Sequence, residues 1–339
     1  MKGGAAYMWR PGFSSWQKEN LRPILRNEKP GLHMYAAPPF IWTSGPAADA
    51  YQREKITKIC SQATDDLTLP RSRHFLVNHE HKLLYCWIHK VASTSWIAFF
   101  SHLANRTHIE EYYREINILS PKNQEELEEV TRNKDYYKLM IVRHPFQRLV
   151  SAYRDRIEDT SRFTSQAWIY VPRIFSLTRP SLNISHIFNT SHHQPTLSIV
   201  PSFEEFVQWL IMITPTKYDV HWNRYTDHCN PCAVHYNTVI KMDNFTYEEE
   251  ISVLQEMGVQ HLNVTLQHFQ LTSGGPTDFN VSCHYFQQLL REQVEALYSI
   301  YRKDFEMFQY SVEPYINCAR NHRSSDNTTV SNATTEDTK

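Results

Sequence analysis

Glycine is scarce in this chain, with 8 in 339 residues against 17 prolines. So low a content excludes glycine-rich low-complexity or fibrous sequence. The glycine-rich G-x-x-x-x-G-K-[ST] phosphate loop is also missing, which argues against an ordinary nucleoside triphosphatase. Charge of one sign is lacking too: 35 Lys and Arg face 36 Asp and Glu, a net charge of −1. Nothing in that balance points to nucleic acid, so any anion site has to be a local concentration of cations. No apolar run approaches the roughly 18 residues that would span a bilayer. The opening MKGGAAYMWRPGF lacks the apolar core of a signal peptide. Cysteine is limited to six residues, and Cys229 and Cys232 form a single CNPC pair. Zinc needs a second such pair, so no metal is expected, and a disulfide within or from that loop is the better reading. Six cysteines allow fifteen full pairings, and the sequence does not choose among them.

What is present suits a globular domain. Hydrophobic residues make up 41% and aromatics 13%, enough for one large core or two modest ones. N-x-S/T triplets begin at Asn105, Asn183, Asn189, Asn244, Asn263, Asn280, Asn327 and Asn332. From 19 asparagines and 51 Ser or Thr, chance would give roughly three, so the eight point to the secretory pathway. This conflicts with the missing signal segment unless the native start lies further upstream.

Along the chain, residues 1–51 are rich in proline and aromatics without period and read as a stem-like or covering segment. Residues 51–69 are predicted helical, ending before Pro70. The apolar run HKLLYCWIH (81–89) predicts a buried strand, followed by a loop and a helix from Thr94 to about His102. KLMIV (138–142) predicts a second buried strand, stopped by Pro145, and 148–157 a helix. Residues 160–200 read as irregular. SFEEFVQWLI (202–211) reads as a helix opened by a Ser202/Glu205 capping box. Residues 285–310 read as one long core helix, and the tail 319–339 as disordered. Strands alternating with helices imply an α/β fold: a single domain over 52–318 with a central, mostly parallel sheet flanked by helices.

Both predicted strands end in a cation-bearing loop that opens a helix. After the first comes His89-Lys90-Val91-Ala92-Ser93-Thr94-Ser95. Small residues let backbone N–H groups approach an anion, the helix start adds its positive dipole end, and Lys90, Thr94 and Ser95 supply further donors. After the second comes Arg143, with Ser151 eight positions on. Such a pair can converge on one phosphate, the guanidinium acting as a fork. Each loop alone also fits a solvated cation beside a Ser/Thr helix cap. Together they make a bipartite anion site where α/β sheets bind ligands.

Lys90-Val-Ala-Ser-Thr-Ser-Trp96 resembles the 5′-phosphosulfate loop of Golgi carbohydrate sulfotransferases. Arg143-His-Pro-Phe-Gln-Arg-Leu-Val-Ser-Ala-Tyr-Arg154 is similar to their 3′-phosphate motif. The branch containing chondroitin and dermatan 4-O-sulfotransferases and the HNK-carbohydrate sulfotransferase also resembles HWNRYTDHCNPC (221–232), Tyr236, Lys241 and LYSIYRKDFEMFQY (297–310). The likeness covers about residues 52–315, in the family's order. His89 stands where the family usually has proline, and His144 where it has Asp or Asn.

The resemblance implies a P-loop-like sulfotransferase fold that uses 3′-phosphoadenosine-5′-phosphosulfate (PAPS) and no metal. It implies a glycosaminoglycan or glycoprotein glycan as acceptor, and residence in the Golgi lumen or membrane through an N-terminal anchor not evident in this chain. It also implies that Lys90 stabilises the leaving oxygen and that Val91, Ala92, Ser93, Thr94 and Ser95 cradle the 5′-phosphate. Arg143 and Ser151 would then hold the 3′-phosphate. His221, in an HW-x-x-Y setting, is the candidate base, although a histidine packed on Trp222 would look the same. Trp222, Tyr225 and Tyr236 read first as aromatic core and second as stacking residues. Cys86 reads as core. Arg148, Arg154, Arg156, Arg162, Arg173 and Arg179 could line a rim for an acidic polymer, or simply a solvated face. Competing functions are a non-catalytic glycan-binding protein and a nucleotide kinase.

Overall fold

A computed structural model describes residues 46–62, 67–106, 108–161, 163–189, 196–262, 266–267 and 274–320. Its strands in chain order are β1 (Phe75–Asn78), β2 (Leu83–Cys86), β3 (Tyr137–Val142), β4 (Phe188–Asn189), β5 (Thr196–Leu197) and β6 (Thr238–Lys241). The main sheet has the order β1-β2-β3-β6, and β4 and β5 form a small separate pair. β2 and β3 are the two expected apolar runs. Every β2 residue is buried, and so is all of β3 except its first residue. A parallel strand covered on both faces needs that continuous apolar character. β2 pairs in parallel with β3, Cys86 opposite Met140, and β3 in parallel with β6, Val142 opposite Lys241. Within the main sheet of the described residues, only β1 runs antiparallel to its neighbour. The expected mostly parallel α/β sheet is therefore present. β6 was not anticipated, because TVIK is short and carries a polar residue at each end.

Parallel pairing requires crossovers, which helices supply. Ser93–Leu103, Tyr112–Leu119 and Gln124–Arg132 connect β2 to β3; Pro145–Tyr153 begins the return toward β6. This winding brings the loops after β2 and β3 side by side. The Ser202/Glu205 capping box is formed in full at the head of Phe203–Met212.

Four sequence expectations need correction. Residues 160–200 include a 14-residue helix, Ser165–Thr178, capped by Thr164. Pro172 inside it hid the pattern. Proline lacks the N–H that would reach back four residues, yet burial of Ala167, Tyr170, Val171, Ile174 and Phe175 holds the helix together. Residues 285–310 form two helices, Phe279–Phe286 and Arg291–Met307, because the chain leaves the helical region at Leu290. The helix expected at 51–69 runs from Pro46 to Gln62, with proline in its favoured first position. The helix expected at 148–157 starts at Pro145 and passes at Tyr153 into a π-turn, Arg154–Glu158.

The expected stem 1–51 lies outside the described residues up to residue 45, and the tail beyond 320 lies outside them as well. Residues 319 and 320 are tied down, the Arg320 N–H bonding the Leu289 carbonyl. No helix among the described residues is long and apolar enough to cross a membrane.

Two apolar clusters make up the core of the described residues. One joins the strands to Trp96, Phe99 and Phe100; the other is helical and aromatic, built on Phe146, Phe203, Phe206, Trp222 and Phe305. Three disulfides, Cys60–Cys232, Cys86–Cys229 and Cys283–Cys318, stitch the domain. The CNPC loop thus sends both cysteines outward, and Cys86 is buried in a disulfide.

Candidate active site

The loop after β2 is tight without glycine. Lys90 and Ala92 both adopt positive φ, 70° and 57°, and Val91 lies between them. Left-handed backbone is unfavourable for residues with a Cβ and persists only where surroundings enforce it. Alternating backbone of this kind turns successive N–H groups into an anion-binding concavity. Ala92 sits at the cap position of Ser93–Leu103, and no side chain there accepts the first N–H groups. Ser93 and Thr94 are partly exposed, whereas Val91 and Ser95 are buried.

Arg143 leaves β3 and turns back toward this loop. Its Nη1 donates to the Lys90 carbonyl at 3.3 Å, and its Nη2 donates to the Thr277 carbonyl. The Arg143 backbone is fixed by Tyr225, whose hydroxyl accepts from the Arg143 N–H (3.1 Å) and donates to its carbonyl (2.9 Å). The two predicted anion loops are therefore in direct contact. Ser151 is buried on Pro145–Tyr153, and among the described residues its hydroxyl bonds neither Arg143 nor the Lys90 loop.

His144 explains its own departure from the family pattern. Its Nδ1 accepts the Phe146 N–H at 3.2 Å, capping the helix as the usual Asp or Asn would. Its Nε2 then donates to the Ser311 carbonyl, 3.0 Å away, and Asp243 accepts its backbone N–H.

His221 is 2% exposed, and its Nδ1 lies 2.5 Å from Asp219 Oδ1. That bond places the ring proton on Nδ1 and leaves Nε2 with an open lone pair; Nε2 is buried and makes no hydrogen bond. His89 stacks on His221 with centroids 3.9 Å apart, and Trp87 meets His89 edge-on at 4.9 Å. The His89 ring thus occupies the place of the family's proline as part of an aromatic column beside the candidate base.

Burial pushes His221 down to about 4, with Arg156 and Lys90 adding to the effect and the Asp219 bond opposing it. Burial likewise holds His144 at about 4, and His89 and His228 well below the ordinary range. Asp219 stays low although burial alone would raise it, because His221 and Gln166 hydrogen-bond to it. The sign for stability follows. Imidazoles kept neutral when folded are free to protonate once unfolded, so stability is full above about pH 6.5 and falls as pH drops toward 4. Each shift to about 4 corresponds to roughly 3 kcal/mol of stability lost over that window. Asp304, raised by burial to about 6, has the opposite sign and offsets about one of these residues. Melting temperature is expected to fall steadily from pH 6.5 to 4.5; a flat profile would contradict this burial of neutral histidines.

Sequence reading missed the partner of the loop lysine. Asp155, 4% exposed, places Oδ2 3.0 Å from Lys90 Nζ and 2.8 Å from Arg156 Nε. No spacing rule could find it, because the π-turn changes which way residues after Tyr153 face. Most of the arginines also sort differently from a rim. Arg148 is a buried strut, donating to the carbonyls of His89 (3.0 Å), Asn223 (2.6 Å) and Val220 (3.1 Å), so it ties the Lys90 loop to the His221 segment. Arg154 donates to Thr277 Oγ1 and the Gly274 and Gly275 carbonyls. Arg179 is paired with Glu205, Arg173 is exposed, and Arg162 lies outside the described residues. Trp222, Tyr225 and Tyr236 are buried core. A cavity of about 140 Å³ flanks the loop, lined by Ala92, Ser95, Trp96, Ile141, Ile240, Met242, Phe245 and Leu266.

A tight positive-φ loop thus touches a strand-end arginine, and a buried Asp–His pair is tied to that loop through Arg148. Residues 73–311 match the Sulfotransferase family, and the chain belongs to it. It is 31% identical over 284 residues to carbohydrate sulfotransferase 11 of Mus musculus, covering 78% of this chain and 76% of that protein. It is 27% identical to carbohydrate sulfotransferase 8 of Mus musculus, covering 76% and 62%, and 25% identical to carbohydrate sulfotransferase 10 of Danio rerio, covering 76% and 73%. No solved structure matches the chain. The protein is a carbohydrate O-sulfotransferase, and the family implies PAPS as sulfate donor and a glycan as acceptor.

Proposed function

We propose that this enzyme transfers the sulfuryl group of PAPS to the 4-hydroxyl of N-acetylgalactosamine in chondroitin- or dermatan-type chains. The carrying observation is the Arg143–Lys90 contact, which joins the two anion loops into one site. The backbone N–H groups of residues 91–95, with Thr94 and Ser95, hold the 5′-phosphate. Arg143 holds the 3′-phosphate, with Ser151 on the helix that follows it. The cavity between Trp96 and Leu266 takes the adenine. In the transfer, the sugar oxygen forms a bond to sulfur while the bond from sulfur to the 5′-phosphate oxygen breaks. Lys90 stabilises the charge that collects on that oxygen, and adenosine 3′,5′-bisphosphate leaves. The sugar proton passes to His221 Nε2, with Asp219 stabilising the resulting cation.

The three disulfides and the exposed sequon asparagines Asn105, Asn183 and Asn280 favour an oxidising, glycosylating compartment, which the resemblance makes the Golgi lumen. A terminal glucuronic acid 3-hydroxyl is the second acceptor, favoured by likeness to the HNK-type branch.

Adenosine 3′,5′-bisphosphate at a hundred times its dissociation constant is expected to stabilise the fold by about 2.7 kcal/mol. Adenosine 5′-phosphate should do far less, and Arg143→Ala should abolish the difference. Equal shifts with both nucleotides would remove Arg143 from the 3′-phosphate site. His221→Gln should lower kcat by about 10² to 10⁴ while leaving the donor KM intact. Full activity of that variant from pH 5 to 8 would exclude His221 as the base.

A further inference from the structure

The donor's anionic groups are accounted for by the Lys90 loop, Arg143 and Ser151, yet one more cation stands at the site. In the π-turn Arg154–Glu158, the Asp159 N–H bonds the Arg154 carbonyl, five residues back. Turns widened in this way re-aim side chains and recur at functional sites. Here three consecutive charged residues take separate tasks. Arg154 binds the 274–277 segment, Asp155 pairs with Lys90, and Arg156 lies against the same Asp155 oxygen.

Arg156 is poorly satisfied where it stands. Its Nε is 2.8 Å from Asp155 Oδ2, but the N–H is not directed at that oxygen, and Nε is buried without a hydrogen bond. Among the described residues, no other acceptor takes its guanidinium. Its side chain is 23% exposed, against 13% for Lys90 and 4% for Asp155, so it is the member of the trio with an open edge. It also lies close enough to His221 and His89 for its charge to act on both rings. A partly exposed cation with unused donors, paired to the same carboxylate as the loop lysine and acting on the candidate base, is placed to bind an anionic group beside the reacting centre.

We propose that Arg156 reads an acidic group on the acceptor, the carboxylate of the uronic acid adjoining the sugar whose hydroxyl is sulfated. The inference rests on the reading of Lys90 and His221 given above. A planar guanidinium fork matches a carboxylate in two parallel hydrogen bonds, which lysine's point charge cannot reproduce. Asp155 holds the fork beside Lys90, so pairing with the uronate brings the neighbouring hydroxyl toward the sulfuryl group. Neutral glycans lack that handle and are poor acceptors.

The test compares steady-state kinetics of the full chain and of Arg156→Ala and Arg156→Lys on three polymers. These are desulfated chondroitin, the same chain with its carboxyl groups reduced to alcohols, and the reduced chain carrying 6-O-sulfate. Arg156→Ala is expected to raise the acceptor KM on chondroitin about tenfold or more, with the donor KM unchanged. The reduced chain, already a poor acceptor, should not become poorer. Arg156→Lys should recover only part of the loss, and its retained charge beside Asp155 guards against misreading a folding defect. Equal losses on chondroitin and the reduced chain, or a raised donor KM, would overturn the proposal. Loss confined to the sulfated, reduced chain would name a sulfate ester as the ligand and overturn the carboxylate. If wild type labels no polymer, the transfer reading falls instead. Equilibrium binding of chondroitin oligosaccharides to wild type and Arg156→Ala then still decides Arg156: equal affinities refute it.

Discussion

Lys90→Ala is expected to lower sulfate transfer by about a hundredfold or more, the usual consequence of losing one donor aimed at charge that develops in the transition state. The structure adds why the variant should still fold. Removing one partner of a buried ion pair usually strands the other, which is costly. Asp155 has Arg156 Nε 2.8 Å away, so its charge stays compensated when the ammonium is lost. Secretion and melting temperature should change little, and the donor KM only modestly, because the backbone cradle and Arg143 remain. Turnover near the wild-type rate would remove Lys90 from the chemistry. A collapse of secretion would mean that its pairing with Asp155 is primarily structural.

Removing the Cys86–Cys229 disulfide by a double change to alanine has the largest expected effect on stability. The bridge closes a loop of 143 residues, for which the chain-entropy treatment gives about 5 kcal/mol. That is comparable to the whole stability of many domains. The melting temperature should fall by about 10 °C or more, with little protein secreted. Activity should suffer beyond the loss of folded protein, because the bridge lies four residues before Lys90 and eight after His221. It fixes the spacing of the two segments that Arg148 also ties together. An unchanged melting temperature in the double variant would contradict this role.

How much could be read from the sequence depended on whether a residue's role was local. β2 and β3 were legible because burial on both faces writes an unbroken apolar run. The Lys90 loop and Arg143 could be singled out because strand ends opening helices are natural anion sites and the family motifs mark them; that the two touch needed the fold. The helix Ser165–Thr178 was not, since Pro172 interrupts the pattern that tertiary burial then overrides. Asp155 was opaque, and Arg156 could not be told from the other candidate rim arginines, because a π-turn shifts their direction after Tyr153 and no sequence period announces that shift. His144 looked like a departure from the family pattern; only its Nδ1 bond to the Phe146 N–H reveals a cap of different chemistry. His221 was chosen from its setting, whereas its partner Asp219 and the stacked His89 needed the fold.

The most direct test of the whole account is transfer of label from ³⁵S-PAPS to a panel of desulfated glycosaminoglycans, followed by disaccharide analysis, with Lys90→Ala in parallel. The expected result is label in 4-O-sulfated N-acetylgalactosamine disaccharides from chondroitin or dermatan, absent with the variant. Label elsewhere, on a terminal glucuronic acid for example, would move the acceptor while keeping the chemistry. No label on any glycan, from a protein that still binds adenosine 3′,5′-bisphosphate, would contradict the assignment of this site to sulfate transfer on glycosaminoglycans.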